Sequence, residues 1–220
     1  MPGDASASQP PRLPTTRLGP RAIDALAHDE VYADAELSDL DLSDQHANGV
    51  ELREVRVTNV DLTGSRLDQL KVTDGKFASC DLSNLKGRGV KATRVTIESS
   101  RLTGIALQEA ALHDLNVRGC RVDLTSFGFS ELARVTFEDC LMAEASFLDA
   151  QLESVRFHGC DLTRADFRGA RLQRCEFRRS NLTGLEGVQG LSGAAIDWPG
   201  IVAMADVWAA ALGISVLDTD

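Results

Sequence analysis

The chain is 220 residues long and carries a formal charge of -10, from 23 Lys and Arg against 33 Asp and Glu. That balance argues against unspecific attraction to nucleic acid phosphates or an anionic membrane. No stretch approaches the roughly 18 apolar residues of a membrane helix, the opening residues lack the basic start and apolar run of a secretory signal, and five cysteines suit free thiols in a reducing compartment, so a cytoplasmic protein is expected.

Residues 1–18 hold Pro2, Pro10, Pro11 and Pro14 among Ser, Thr and Gly, with little to bury, and read as a disordered tail. Residues 19–34 are an N-terminal cap or transition. Ala22, Ile23, Leu26 and Ala27 suit a short helical turn there, and Tyr32 already falls in the frame of the repeats that begin at residue 35.

Residues 35–189 keep a five-residue beat through 31 pentads without insertion or deletion. With the frame set on Leu37, the centre reads Leu37, Leu42, Ala47, Leu52, Val57, Leu62, and onward to Phe177 and Leu182. Seven of the eight Phe occupy centres, and all five cysteines lie two residues before one. A beat of five fits neither a helix nor a flat strand. It fits a coil with four short sides, closing every 20 residues, and the chain carries that second period independently. Phe137, Phe157 and Phe177 recur on one side and Phe127, Phe147 and Phe167 on another, while a third is nearly pure Leu from Leu42 to Leu182. Like residues stacked at about 4.8 Å per coil build interior ladders in an all-β solenoid, a rod roughly 37 Å long. Two residues after each centre, 16 of 31 pentads carry Gly, Asn or Asp, which tolerate the left-handed backbone of a corner.

The beat stops in residues 190–220. Asp197 reads as a helix cap with Pro199 in the first turn. Ile201, Met204, Ala205, Trp208 and Leu212 recur at helical spacing, and Gly213 is a natural stop. Such a helix covers the open end of a solenoid or carries a dimer contact through Ile201, Met204, Trp208 and Leu212.

The pentads Cys160-Asp161-Leu162-Thr163-Arg164, Ala165-Asp166-Phe167-Arg168-Gly169 and Ser180-Asn181-Leu182-Thr183-Gly184 match the repeat Ala-(Asp/Asn)-Leu-x-x. By them the chain resembles the pentapeptide-repeat family, in its loopless, actinobacterial form. The resemblance implies a right-handed quadrilateral parallel β-helix with a C-terminal capping α-helix. Some members connected with fluoroquinolone resistance form homodimers through that helix and bind DNA gyrase, the rod imitating duplex DNA. A DNA-mimicking regulator of gyrase is therefore one functional expectation, and a general protein-binding scaffold is the alternative.

Charge bears on both. The solenoid carries 24 acidic and 20 basic residues, a poor overall match to DNA. Residues 95–154 do better, with ten acidic and four basic, and residues 155–189 reverse the sign through seven Arg. A sharper feature is a set of large apolar residues at outward positions, Leu124, Phe129, Leu141 and Leu148, close to Glu109, Asp123, Glu144 and Asp149. An apolar cluster with a charged rim is a form of protein-binding site. One alternative stays open, because Val122-Asp-Leu-Thr-Ser126 is also a fair pentad centred on Leu124, and such a slip turns Leu124 and Phe129 inward. No catalytic residues, metal or cofactor are expected. The four histidines show no ligand spacing, and Cys120, Cys140 and Cys160, one coil apart, occupy inward sites that elsewhere hold Leu, Val or Ser.

Overall fold

The computed structural model describes residues 8–14, 18–21 and 23–216. Its body is a parallel β-solenoid of about nine turns. Each turn takes twenty residues, as the pairing of Leu52 with Val72, Leu112 with Leu132 and Phe157 with Phe177 records. Long strands such as Lys71–Ala78, Lys91–Glu98 and Ala111–Arg118 cover two sides and bend between them. The other two sides are short strands such as Arg66–Asp68 and Lys86–Arg88, and a column of single bridges from Asp61 through Arg121 and Leu141 to Asn181.

The corners obey one backbone rule. Every fifth residue from Asp29 to Gly184 has a positive φ, between 48° and 71°. Asp, Asn and Gly adopt this left-handed region readily, but Arg, Glu, Leu and Phe hold it here too, at a cost of about 1–2 kcal/mol each. The coil imposes the conformation and the residue type only modulates its cost.

Inward, the centres form the expected ladders. Phe137, Phe157 and Phe177 stack at centroid separations of 5.4 and 4.8 Å, and Phe127, Phe147 and Phe167 at 5.2 and 4.7 Å. Where Ile97 and Val117 replace such rings, and Ala92 stands between Val72 and Leu112, the interior keeps an apolar cavity of about 120 Å³, bounded by Phe77, Phe127 and Phe137.

The position two before each centre has a polar role besides its small size. Ser65, Thr125 and Ser180 donate their hydroxyls to the carbonyls of Leu42, Leu102 and Phe157, one turn back. Cys80, Cys140 and Cys160 donate their thiols to Val57, Val117 and Phe137 in the same way. Cysteine is thus an interior substitute for serine, and all five thiols are buried and free. Burial pushes the Cys80 and Cys175 thiols up, away from the reactive thiolate. Among the described residues no helix is long and apolar enough to cross a membrane.

The ends differ from the body. Residues 23–30 make bends and a turn in place of the short helix suggested by Ile23, Leu26 and Ala27, with the Ala27 amide donating to the Tyr32 hydroxyl; Ala22 lies outside the described residues. Of the expected tail 1–18, residues 1–7 and 15–17 also lie outside them. Gln9 and Arg12 are hydrogen-bonded to the side of the rod, and Leu18 is buried at its start. At the far end Ala195–Ile196 adds one more parallel strand, on Glu176 and Phe177. The Asp197 carboxylate then caps helix α1 (Trp198–Ala203) by accepting from the Gly200 amide at 3.1 Å. The single helix read from the spacing breaks at Met204, with φ -110° and ψ 17°, and resumes as α2 (Ala205–Ala211). Gly213, at φ 72°, ends α2 with the Ile214 amide donating to the Ala209 carbonyl at 2.8 Å.

Candidate functional site

The repeat frame holds through residues 122–129. Val122, Thr125 and Phe127 are buried, Phe127 stacks on Phe147, and the Thr125 hydroxyl donates to the Leu102 carbonyl at 2.8 Å. Leu124 and Phe129 are therefore corner residues, at φ 58° each, and stand 57% and 60% exposed. Their amides are tied to the next coil, Leu124 to the Ala143 carbonyl at 2.9 Å and Phe129 to the Leu148 carbonyl at 3.0 Å, while their exposed side chains project outward. Leu148 is half-buried beside Phe129. Leu141, 45% exposed, sits one coil above Arg121 at the start of the leucine-ladder side.

The four acidic candidates are distributed around these corners by the twenty-residue register. Glu109 lies one coil below Phe129 and Asp149 one coil above it; Glu144 stands one coil above Leu124, and Asp123 precedes Leu124 in the chain. Gly169 leaves room for the Asp149 carboxylate, because a Cβ there collides with it. The register thus brings Glu109, Phe129, Asp149, Leu124 and Glu144 to two neighbouring corners of one stretch of rod. Leu148 lies on the side between those corners, whereas Leu141 stands at the far end of the adjoining leucine-ladder side and belongs to the patch only at its edge.

The rim is less acidic than its composition. Arg88 clasps Glu109 through two nitrogens, at 3.0 and 2.6 Å, and holds its carboxyl below the ordinary range. Glu144 pairs with Arg164, and Asp123 lies 3.6 Å from Arg121. Elsewhere in the acidic band Glu138 pairs with Arg118 and Glu153 with Arg174. Four of these pairs join one coil to the next, twenty or twenty-one residues apart, which composition over a window cannot reveal.

A second apolar surface lies on the C-terminal helices. Trp198, Val202 and Ile214 are exposed there, together with Leu212 at 76%, and with Ile201 and Trp208 they line an open groove. Met204, grouped with Ile201, Trp208 and Leu212 by spacing, is fully buried against its own rod and is withdrawn from that face. With the break at Met204, the four residues do not share one continuous helical stripe.

His158 lies in a shallow pocket with Glu176, Arg178, Arg179 and Asp197 at the last turn, but its Nε2 stands 3.7 Å from Glu176. Burial, then the neighbouring Arg178, lowers its pKa. Among the described residues no group of three or more His, Cys, Asp or Glu is placed to hold a metal.

The family comparison agrees with the architecture. The family model for the pentapeptide repeat region matches residues 70–147 and 120–186, together more than half of the chain. Among solved structures, full-length QnrB1, a plasmid-mediated fluoroquinolone resistance protein, is 16% identical at a TM-score of 0.34, over 84% of this chain and 100% of its own. HetL, a pentapeptide repeat protein involved in heterocyst differentiation regulation in the cyanobacterium Nostoc sp., is 17% identical at 0.35, over 76% of this chain and 85% of its own. Among curated proteins none matches. The uninterrupted beat, the twenty-residue register and the family match lead to one conclusion: this chain belongs to the pentapeptide-repeat family.

Proposed function

We propose that the protein is a non-catalytic, protein-binding solenoid whose target docks on the corner patch of Leu124, Phe129, Leu141 and Leu148, within the rim of Glu109, Asp123, Glu144 and Asp149. The observation that carries this reading is the pair of bulky apolar residues at left-handed corners. There they cost stability and stand more than half exposed, where Asn, Asp or Gly serves the fold better. The exposed face of α1 and α2, with Leu212 and Trp208, is its contact for a homodimer. DNA gyrase is the target to test first. A second reading, in which the rod imitates duplex DNA in gyrase, is favoured by the acids of the leucine-ladder side, Asp41, Asp61, Asp81 and Asp161. Arginine pairing within the acidic band weakens it.

Gyrase supercoiling separates these readings, run beside the protein's mass in solution. The patch reading expects inhibition by the native protein at micromolar concentration. It expects that inhibition to be lost in Leu141→Asp with Leu148→Asp and kept on charge reversal of Glu109, Asp123, Glu144 and Asp149. The reverse pattern selects the mimic. No inhibition by the native protein removes gyrase as the partner, and a monomeric mass removes the homodimer.

A further inference from the structure

Another edge of the rod carries an unusual corner column. Corner residues Asp74, Arg94, Asp114 and Arg134 stack in it, because Thr73, Thr93 and His113 pair in register across successive strands. Arg94 grips Asp74 through two bonds of 2.7 and 2.6 Å, and Arg134 grips Asp114 through two of 2.7 and 2.8 Å. Both carboxylates are nearly buried, an uncommon state for a corner aspartate on a rod. What completes their burial is the N-terminal segment. The Gln9 amide donates to Asp114 Oδ1 at 3.2 Å and the Arg12 amide to Asp74 Oδ1 at 2.8 Å.

The spacing of this contact is matched at both partners. Asp74 and Asp114 are two coils apart, about 9.6 Å at the strand spacing. Gln9 and Arg12 are three residues apart, about 9.3 Å in the polyproline II conformation. The residues between them are Pro10 and Pro11, which favour that conformation and have no amide to leave unpaired between the carboxylates. The segment crosses the coils with Val72, Ala92 and Leu112 at their centres, where the interior cavity lies. The arginine bonds, ahead of the opposing effect of burial, hold both aspartates below the ordinary 3.8, so they stay charged acceptors at any pH above that value.

We propose that this corner column is a recognition site for an extended peptide with two prolines between backbone donors at positions i and i+3, occupied in cis by residues 9–12. The partner it fits is a protein segment of the same chemistry, which takes the site in trans when the cis segment leaves. Affinity comes from amides on buried, arginine-held carboxylates, and selectivity from the pre-set proline backbone that matches the two-coil spacing.

The test uses the whole chain with a protease site placed between Pro14 and Leu18 and cut after folding. A labelled peptide of residues 8–14 is then titrated by fluorescence anisotropy. Saturable binding to the cut protein is expected, weakened at least tenfold by Asp74→Asn with Asp114→Asn, and likewise when both prolines of the peptide are replaced by Ser. Absence of saturable binding, or equal affinity for the Asn variant, overturns the proposal. A second readout needs no cut. In the intact protein the Gln9 and Arg12 amides should exchange hydrogen at least tenfold faster in the Asn variant, with the Phe157 amide unchanged. Equal exchange rates at Gln9 and Arg12 contradict the site.

Discussion

Phe157→Ala is expected to destabilise the protein by about 4 kcal/mol, within the usual range for deleting a buried ring. Phe157 has the fullest aromatic surroundings of the rod. It stacks on Phe137 and Phe177 at 5.4 and 4.8 Å and meets Phe147 and Phe167 edge-on at 5.6 and 6.1 Å. Its removal takes away the transfer energy of the ring, opens a cavity whose walls are pinned by neighbouring coils, and breaks two stacks at once. Because each turn of a solenoid rests on its neighbours, the loss is felt on both sides of the vacancy. Urea denaturation followed by circular dichroism measures it. A cost under about 1 kcal/mol means that the ladders are more plastic than interlocked rings allow.

The same instrument should give the opposite sign at the corners. Leu124→Asn with Phe129→Asn is expected to stabilise the protein by about 1–2 kcal/mol in all, since both positions hold left-handed backbone that Asn tolerates better than Leu or Phe. Neither side chain contributes a buried ring or layer, as their exposures of 57% and 60% record. The two gains should add, because the corners lie a pentad apart. The same variant is expected to lose target binding. A rise in stability with loss of binding is the signature of residues kept for contact at the expense of the fold. A fall in stability makes Leu124 and Phe129 structural and removes the reason to regard them as a site.

The architecture was legible because its signal is repeated. Inward, small and corner positions recur in every pentad, so an atypical residue such as Gly87 at a centre is outvoted by its neighbours. The corner rule was only half legible: Asp, Asn and Gly announce a left-handed residue, whereas Arg94, Arg134 and Phe129 adopt it because the coil compels them. The register at residues 122–129 was ambiguous locally, since Leu124 makes as good a centre as Val122. Stacking between coils decides it, through Phe127 on Phe147 and Thr125 on Leu102, and those partners lie about twenty residues away.

Two features were beyond the sequence for physical reasons. Residues 8–14 bury little, so they read as a tail; what seats them is a pair of backbone amides on carboxylates more than sixty and a hundred residues on. Asp74 and Asp114 give no sign of it, being ordinary corner residues by type. The charge of the middle band was misleading in the same way. Glu144 and Glu153 count as bare acids in a linear window, but the coil stacks them against Arg164 and Arg174. At the C-terminus the cap Asp197 and the stop at Gly213 were legible from local chemistry, and the break at Met204, set by packing on the last turn, was not.

The most direct test of the binding role of the corner patch is photo-crosslinking in the producing cell with p-benzoylphenylalanine in place of Phe129. A second variant carries the same residue in place of Arg118, exposed on the opposite part of the coil. A docking patch at these corners predicts one protein adduct that forms from position 129, is absent from position 118, and disappears when Leu141→Asp and Leu148→Asp are added. Equal adducts from both positions, or none from position 129, contradict it.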